Sequence, residues 1–247
     1  GAITLYHGKK LSLPNIEKLD SVTKGDHEAR ADLRNFLSSR FDQGRGLASV
    51  KSHAAAYARV HGLMSCEKLF DISDEPQYIK DMYGPTQFAE QTIMARRMVE
   101  AGGPFGRVSR AWWDSHGQNF ETHLEMVPEL DRVLSALIDD LKQRGMLEDT
   151  LVVTMGEFGR TPKINGSLGR DHFATAWSAS LPGGRTVHGA VYGKTDAKGE
   201  CVVEGEIGAG EMFATILEAA GIDHKREYHV GARPIPLVNP GIKPVSE

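Results

Sequence analysis

Three short stretches hold the residues that could do chemistry: WDSHG at 113–117, GEFGRTP at 156–162 and GRDHF at 169–173. In extended backbone, residues two apart face the same side, so Asp114 and His116 can converge on one ion. A carboxylate beside an imidazole suits zinc, manganese or iron better than calcium. The plain alternative is a His116 that is merely hydrogen-bonded near the surface. Glu157 follows the apolar run LVVTM after a single glycine, which places it at the end of an expected strand. Arg160 follows Gly159, in a loop whose glycines let the backbone approach a ligand closely. Its planar fork matches the oxygens of phosphate, sulfate or carboxylate. It equally suits a structural ion pair, with Glu157 for instance. Asp171 and His172 adjoin and so point opposite ways: one can ligate while the other orients a ligand from behind.

Together these stretches supply Asp114, His116, Glu157, Asp171 and His172 as candidate metal ligands, with Arg160 and Arg170 as candidate catalytic cations. Hydrolysis of a charged ester at a metal site needs such a mix. The metal clamps oxygens and lowers the pKa of a nucleophile, while arginine stabilises charge growing in the transition state. A solvated charged loop is the bland reading of the same residues. His188, His224 and His229 read as ordinary polar histidines.

The elements that must position these groups follow from apolar spacing. The first half reads as helical. Residues 29–41 place Leu33, Phe36 and Leu37 on one face, and the alanine-rich 49–64 favours helix with Gly62 as its end. EPQYIKDMYG (75–84) reads as a short helix closed by glycine, and 85–100 as a helix stopped by Gly102-Gly103. The clearest helix is expected over 128–145, with Pro128 in its first turn and Gly145 at its C-cap. Strands are expected at 108–113 and 151–155, each ending in acid plus histidine or acid plus arginine. Helix–strand alternation of this kind argues α/β, with 108–113 and 151–155 as parallel neighbours, or near neighbours, joined through the helix. TVHGAVYG and CVVEGEIG flank a turn-rich TDAKGE and read as a hairpin, and 211–221 reads as a last short helix.

The 247 residues suffice for one large domain with a real core, and 40% hydrophobic and 25% charged residues are ordinary for a globular chain. A net charge of -4 gives no general attraction to nucleic acid or anionic membranes. Two cysteines, Cys66 and Cys201, fit neither a zinc spacing nor a disulfide framework. No apolar run is long enough to span a bilayer.

The segments AEQTIMARRMVEAG, WDSHGQNF, LDRVLSALIDDLKQRGMLEDTLVVTMGEFGRTPKINGSLGRDHF, GAVYGKTD and ATILEAAGIDH resemble a bacterial family of sulfatase-like proteins. That family is catalogued as domain of unknown function 1501 and placed in the alkaline phosphatase superfamily. The resemblance runs from about Ala29 to Leu237 and is most specific in GEFGRTP…GRDH. It implies an alkaline-phosphatase-like three-layer sandwich with a mostly parallel sheet. A single sulfatase-like α/β domain is expected over 1–247, mainly helical over 1–104, with the sheet and site loops over 105–237. The superfamily pattern implies one metal held by Asp114, His116 and His172, and a second taking Glu157 with residues of an N-terminal strand. Where the superfamily often has Asp-His after that strand, this chain has Glu157-Phe158. No glycine-rich first strand with Ser and Asp matches, and no C-x-P-x-R signature is present, so the chain is expected to be the C-terminal portion of a longer protein, without its nucleophile. The implied function is a metal-dependent hydrolase of phosphate or sulfate esters, or the C-terminal part of one. The alternative is a non-catalytic metal-binding or surface-interaction protein. The implied cofactor is a divalent metal (zinc, manganese, magnesium or calcium), and the implied partner an anionic small-molecule or polysaccharide ester. Exported or periplasmic location is implied by the resemblance alone.

Overall fold

The first helix among the described residues opens at Thr23, whose hydroxyl accepts from the Asp26 amide while the Asp26 carboxylate accepts from the Thr23 amide and hydroxyl. This reciprocal cap satisfies donors that a helix start leaves unpaired. The computed structural model describes residues 20–46 and 48–245. Over these, six helices run in order: α1 (Lys24–Asp42), α2 (Ala48–Ser65), α3 (Gln77–Tyr83), α4 (Gln87–Glu100), α5 (Asn119–Gln143) and α6 (Ala209–Ala219). Eight strands of two to four residues accompany them. They pair as β1 (Thr154–Met155) with β4 (Ala179–Ser180), β2 (Gly159–Arg160) with β3 (His172–Phe173), β5 (Lys194–Thr195) with β6 (Val202–Glu204), and β7 (Glu227–Val230) with β8 (Arg233–Pro236). No described helix is long and apolar enough to cross a membrane.

The chain forms two compact units, divided within α3 and α4. One takes the described residues through Lys80 with Glu90–Gly106; the other takes Asp81–Ala89 and the described part of Arg107–Glu247. In the first, Phe70 and Met94 are buried, with Leu63, Met64, Ile72 and Met98 packed against them. The glycine stop of α4 forms as the sequence suggests: Gly102 has φ 90° and donates to Val99, and Gly103 donates to Met98. The apolar face read on 29–41 is not buried, since α1 has no buried residue and Leu33, Phe36, Leu37 and Phe41 are exposed. Gly62 lies inside α2 rather than ending it.

In the second unit α5 buries Met126, Val133, Ala136 and Leu141. Asp140 is buried with them and is held by Tyr83 Oη at 3.1 Å and Arg144 Nε at 2.7 Å. Gly145 takes φ 69°, and Met146 donates back to Leu141, which closes the helix. The start differs from expectation. The helix begins at Asn119, and Pro128 sits inside it. Proline removes the bond to the carbonyl four residues earlier; that residue is the exposed Leu124, where water can serve the carbonyl.

The expected mostly parallel sheet, and with it the alkaline-phosphatase-like three-layer sandwich, is not the fold. Every strand pair among the described residues is antiparallel and two-stranded. Residues 108–113 form no strand; Trp112 has φ 77°, which breaks an extended run, and no residue of the segment is buried. Without that partner, 151–155 pairs elsewhere. Leu151 bridges Gly183, Val152 donates to Pro182, and Thr154 and Met155 face Ser180 and Ala179, all antiparallel. An apolar run reports partial burial, not the direction of the chain beside it. The hairpin read near the end does form, with its strands at 194–195 and 202–204 rather than across 186–193.

Candidate functional site

Two loops of the second unit build the site, 114–118 ahead of α5 and 156–173. They are laced together by backbone bonds: Gln118 donates to Ser167, Asn119 to Leu168, and Arg170 to Ser115. Gly169 permits this approach, and Gly159 permits another, between 159 and the chain at 173–176. A side-chain carbon on Gly169 would lie 2.0 Å from the His116 carbonyl carbon, and one on Gly159 would lie 1.8 Å from the Ala176 carbonyl oxygen. A larger residue at either position would have to push away the backbone it faces. Gln118 and Leu168, at the lacing points, both hold positive φ (50° and 59°).

The β2–β3 ladder sets the next level of geometry. Its register places Arg160 directly opposite His172, and directly opposed side chains lie on one face of the pair. Both reach Asp114. Arg160 Nη1 donates to Asp114 Oδ1 at 2.5 Å, and His172 Nε2 stands 3.0 Å from the same oxygen. His116 Nε2 is 2.9 Å from that oxygen and 3.2 Å from His172 Nε2. Phe158 packs against the His172 ring with centroids 4.2 Å apart.

Asp171 completes the arrangement from behind, with Oδ1 at 2.8 Å from His116 Nδ1 and 3.0 Å from Asn165 Nδ2. These two hydrogen bonds, His116's first, hold the Asp171 carboxyl below its ordinary value. An ionised carboxylate only accepts, so His116 Nδ1 donates to Asp171, and Nε2 is the ring atom turned toward Asp114 and His172. The Asp114 carboxyl is held down more strongly, to about 2, first by the Arg160 bond and then by His172.

The donor set fits a cation. Asp114, His116 and His172 bring ligand atoms all within 4.8 Å of one another. Around zinc, with ligand distances of about 2.0–2.1 Å, tetrahedral ligand atoms stand about 3.3–3.4 Å apart. The separations here, 2.9, 3.0 and 3.2 Å, need only small outward shifts. All three side chains are half exposed, at 60, 47 and 51%, so solvent and ligands reach them.

The sequence-read residues therefore separate. Asp114, His116 and His172 come together; Asp171 stands behind His116; Arg160 pairs with Asp114 rather than with Glu157. Glu157 is exposed and outside the three-residue group. Arg170 braces the loop, its Nη1 donating to the Thr161 and Pro162 carbonyls at 2.7 Å each. Sequence reading missed Asn165, Phe158 and Thr161. Asn165 carried a signal in the Asn-Gly dipeptide, a turn pair whose side chain commonly bonds nearby backbone. Nothing local marked Phe158.

No curated protein and no solved structure matches the chain. Residues 2–247 match the family described as "Protein of unknown function (DUF1501)". That match takes in the GEFGRTP and GRDHF segments whose side chains meet Asp114 and His116, and the chain belongs to the DUF1501 family.

Proposed function

We propose that the chain holds a divalent cation at Asp114, His116 and His172 and acts there as a metal-dependent hydrolase of phosphate or sulfate esters, or as the C-terminal part of one. The observation that carries the reading is the convergence of three ligand atoms on one point, with the His116 ring already oriented by Asp171. A carboxylate behind a ligating imidazole fixes its tautomer and raises its basicity. A bound divalent ion would supply Lewis acidity and a lowered pKa for an attacking oxygen. This chain's own contribution is a cation beside that point: Arg160, 22% exposed, has a guanidinium that can also face the oxygens of an anionic ester. Asp114 keeps its charge throughout the neutral range, so the cluster retains an anionic ligand.

Two nearby hydroxyls are already engaged: Thr161 Oγ1 donates to the Lys163 carbonyl and Ser115 Oγ to Asn119 Oδ1. Neither is offered as a nucleophile. That favours, as the second reading, a metal-binding protein without turnover. Zinc and manganese titration, followed by a panel of phosphate and sulfate monoesters, tests both. We expect one equivalent of metal bound and lost in His116→Ala, with ester hydrolysis lost in the same variant. Metal bound without hydrolysis of any ester supports the second reading; no metal bound in the wild type rejects both.

A further inference from the structure

We propose that Asn165 is the positioning residue of the cluster, holding His116 by both its backbone and its side-chain partner so that Nε2 faces Asp114 and His172. One carboxamide makes four hydrogen bonds. Its Nδ2 donates to the His116 carbonyl at 3.0 Å and to Asp171 Oδ1 at 3.0 Å. Its Oδ1 accepts from the Ser167 and Gly169 amides, each at 2.9 Å. The orientation is unambiguous, because backbone amides only donate while a carbonyl and an ionised carboxylate only accept. No other side chain of this size offers two donors on one atom and an acceptor on the next. Aspartate would retain the acceptor side, lose both donations and set a second carboxylate against Asp171.

The consequence lies in the angle of the His116 ring. Asp171 Oδ1 accepts from both His116 Nδ1 and Asn165 Nδ2, so the carboxylate is held where the imidazole needs it. The bond to the His116 carbonyl fixes the backbone from which the same ring hangs. Asn165 thus reaches the cluster through other residues, without being a candidate ligand itself. This inference rests on the metal reading for its effect on affinity, but not for its effect on the ring.

The test compares wild type with Asn165→Asp, which keeps the loop's acceptor side, and with Asn165→Ala. A crystal structure of each variant reads the contact between His116 Nδ1 and Asp171, and calorimetry reads zinc affinity. We expect that contact, 2.8 Å in the wild type, to be lost in both variants, with zinc bound about 10- to 100-fold more weakly, the usual loss when a partner behind a metal ligand is removed. A His116 ring that keeps its place against Asp171 in both variants overturns the proposal, whatever happens to zinc. If the wild type binds no zinc, yet the contact is lost in the variants, Asn165 stands as the positioning residue and the metal reading is rejected instead.

Discussion

At Glu75 a carboxylate 5% exposed accepts from Arg96 Nη2 and Arg97 Nη1, both at 2.8 Å, and Arg96 itself is 1% exposed. At Asp114 a carboxylate 60% exposed accepts from Arg160 at 2.5 Å, with two imidazoles on the same oxygen. Both are arginine–carboxylate clusters, and in both the carboxyl is held below its ordinary value. The balance differs. Burial works to raise the Glu75 carboxyl, and the bonds from Arg96 and then Arg97 outweigh it. At Asp114 the Arg160 and His172 bonds dominate. Arg96 also bonds Glu100, and Arg97 also bonds Asp74, so the buried cluster spends its charges on itself. The exposed cluster gathers acceptor atoms around a point that solvent can reach. Buried ion pairs are costly to break, whereas exposed ones contribute little stability and remain available to a ligand.

The largest effect on stability should follow from breaking the buried side of this comparison. Glu75→Ala takes one buried carboxylate from Arg96 and Arg97, which keep Glu100 and Asp74, and should cost about 2–3 kcal/mol of unfolding free energy, below the full loss of a buried pair's only partner. Chemical denaturation measures it, and a loss below about 1 kcal/mol, the exposed-pair range, would erase the distinction. His172→Ala should act in the opposite way: zinc affinity falls at least about 100-fold, or roughly 2.7 kcal/mol, with little change in unfolding. Calorimetry and thermal melting on one sample separate the two.

Arg160→Ala should be milder. We expect a melting temperature within a few degrees of wild type, as for exposed ion pairs contributing about 0–1 kcal/mol, together with loss of thermal protection by sulfate or phosphate. A large stability loss with protection intact would place Arg160 with Arg96 as a structural partner. The smallest effect is electrostatic. Because the folded Asp114 carboxyl is depressed from 3.8 to about 2, its bonds are fully present above the ordinary value and are lost as pH falls through about 2. A carbon-13 titration of that carboxyl should show its midpoint rise toward 3.8 in Arg160→Ala. An unmoved midpoint would deny Arg160 its leading part in the shift.

Local signals were read well where they act within one element. The helix expected over 85–100 forms as Gln87–Glu100, and Gly84, Gly102 and Gly145 take the positive φ that helix ends require. Signals that depend on context were misread. Pro128 resembles a helix start, yet the helix already runs from Asn119, and Phe120, Leu124 and Val127 ahead of the proline keep helical spacing although all three are exposed. The run LVVT was read as a buried parallel strand because hydrophobicity carries no information on its partner, and its partner is the antiparallel segment 179–183.

Residue types and short spacings by themselves marked Asp114, His116, Glu157, Asp171 and His172 as candidates for a cation site, and Arg160 as a partner for an anion or a carboxylate. Only the tertiary structure decided that they meet. The β2–β3 register puts Arg160 across from His172, and the amides of Gln118, Asn119 and Arg170 lace a loop some fifty residues earlier against them. Strand register and loop-to-loop hydrogen bonds are pairings between distant backbone groups that every residue type possesses. The side chains at 114, 116 and 172 could not announce them; the absence of a side chain at Gly159 and Gly169 lets the segments approach closely enough to make them.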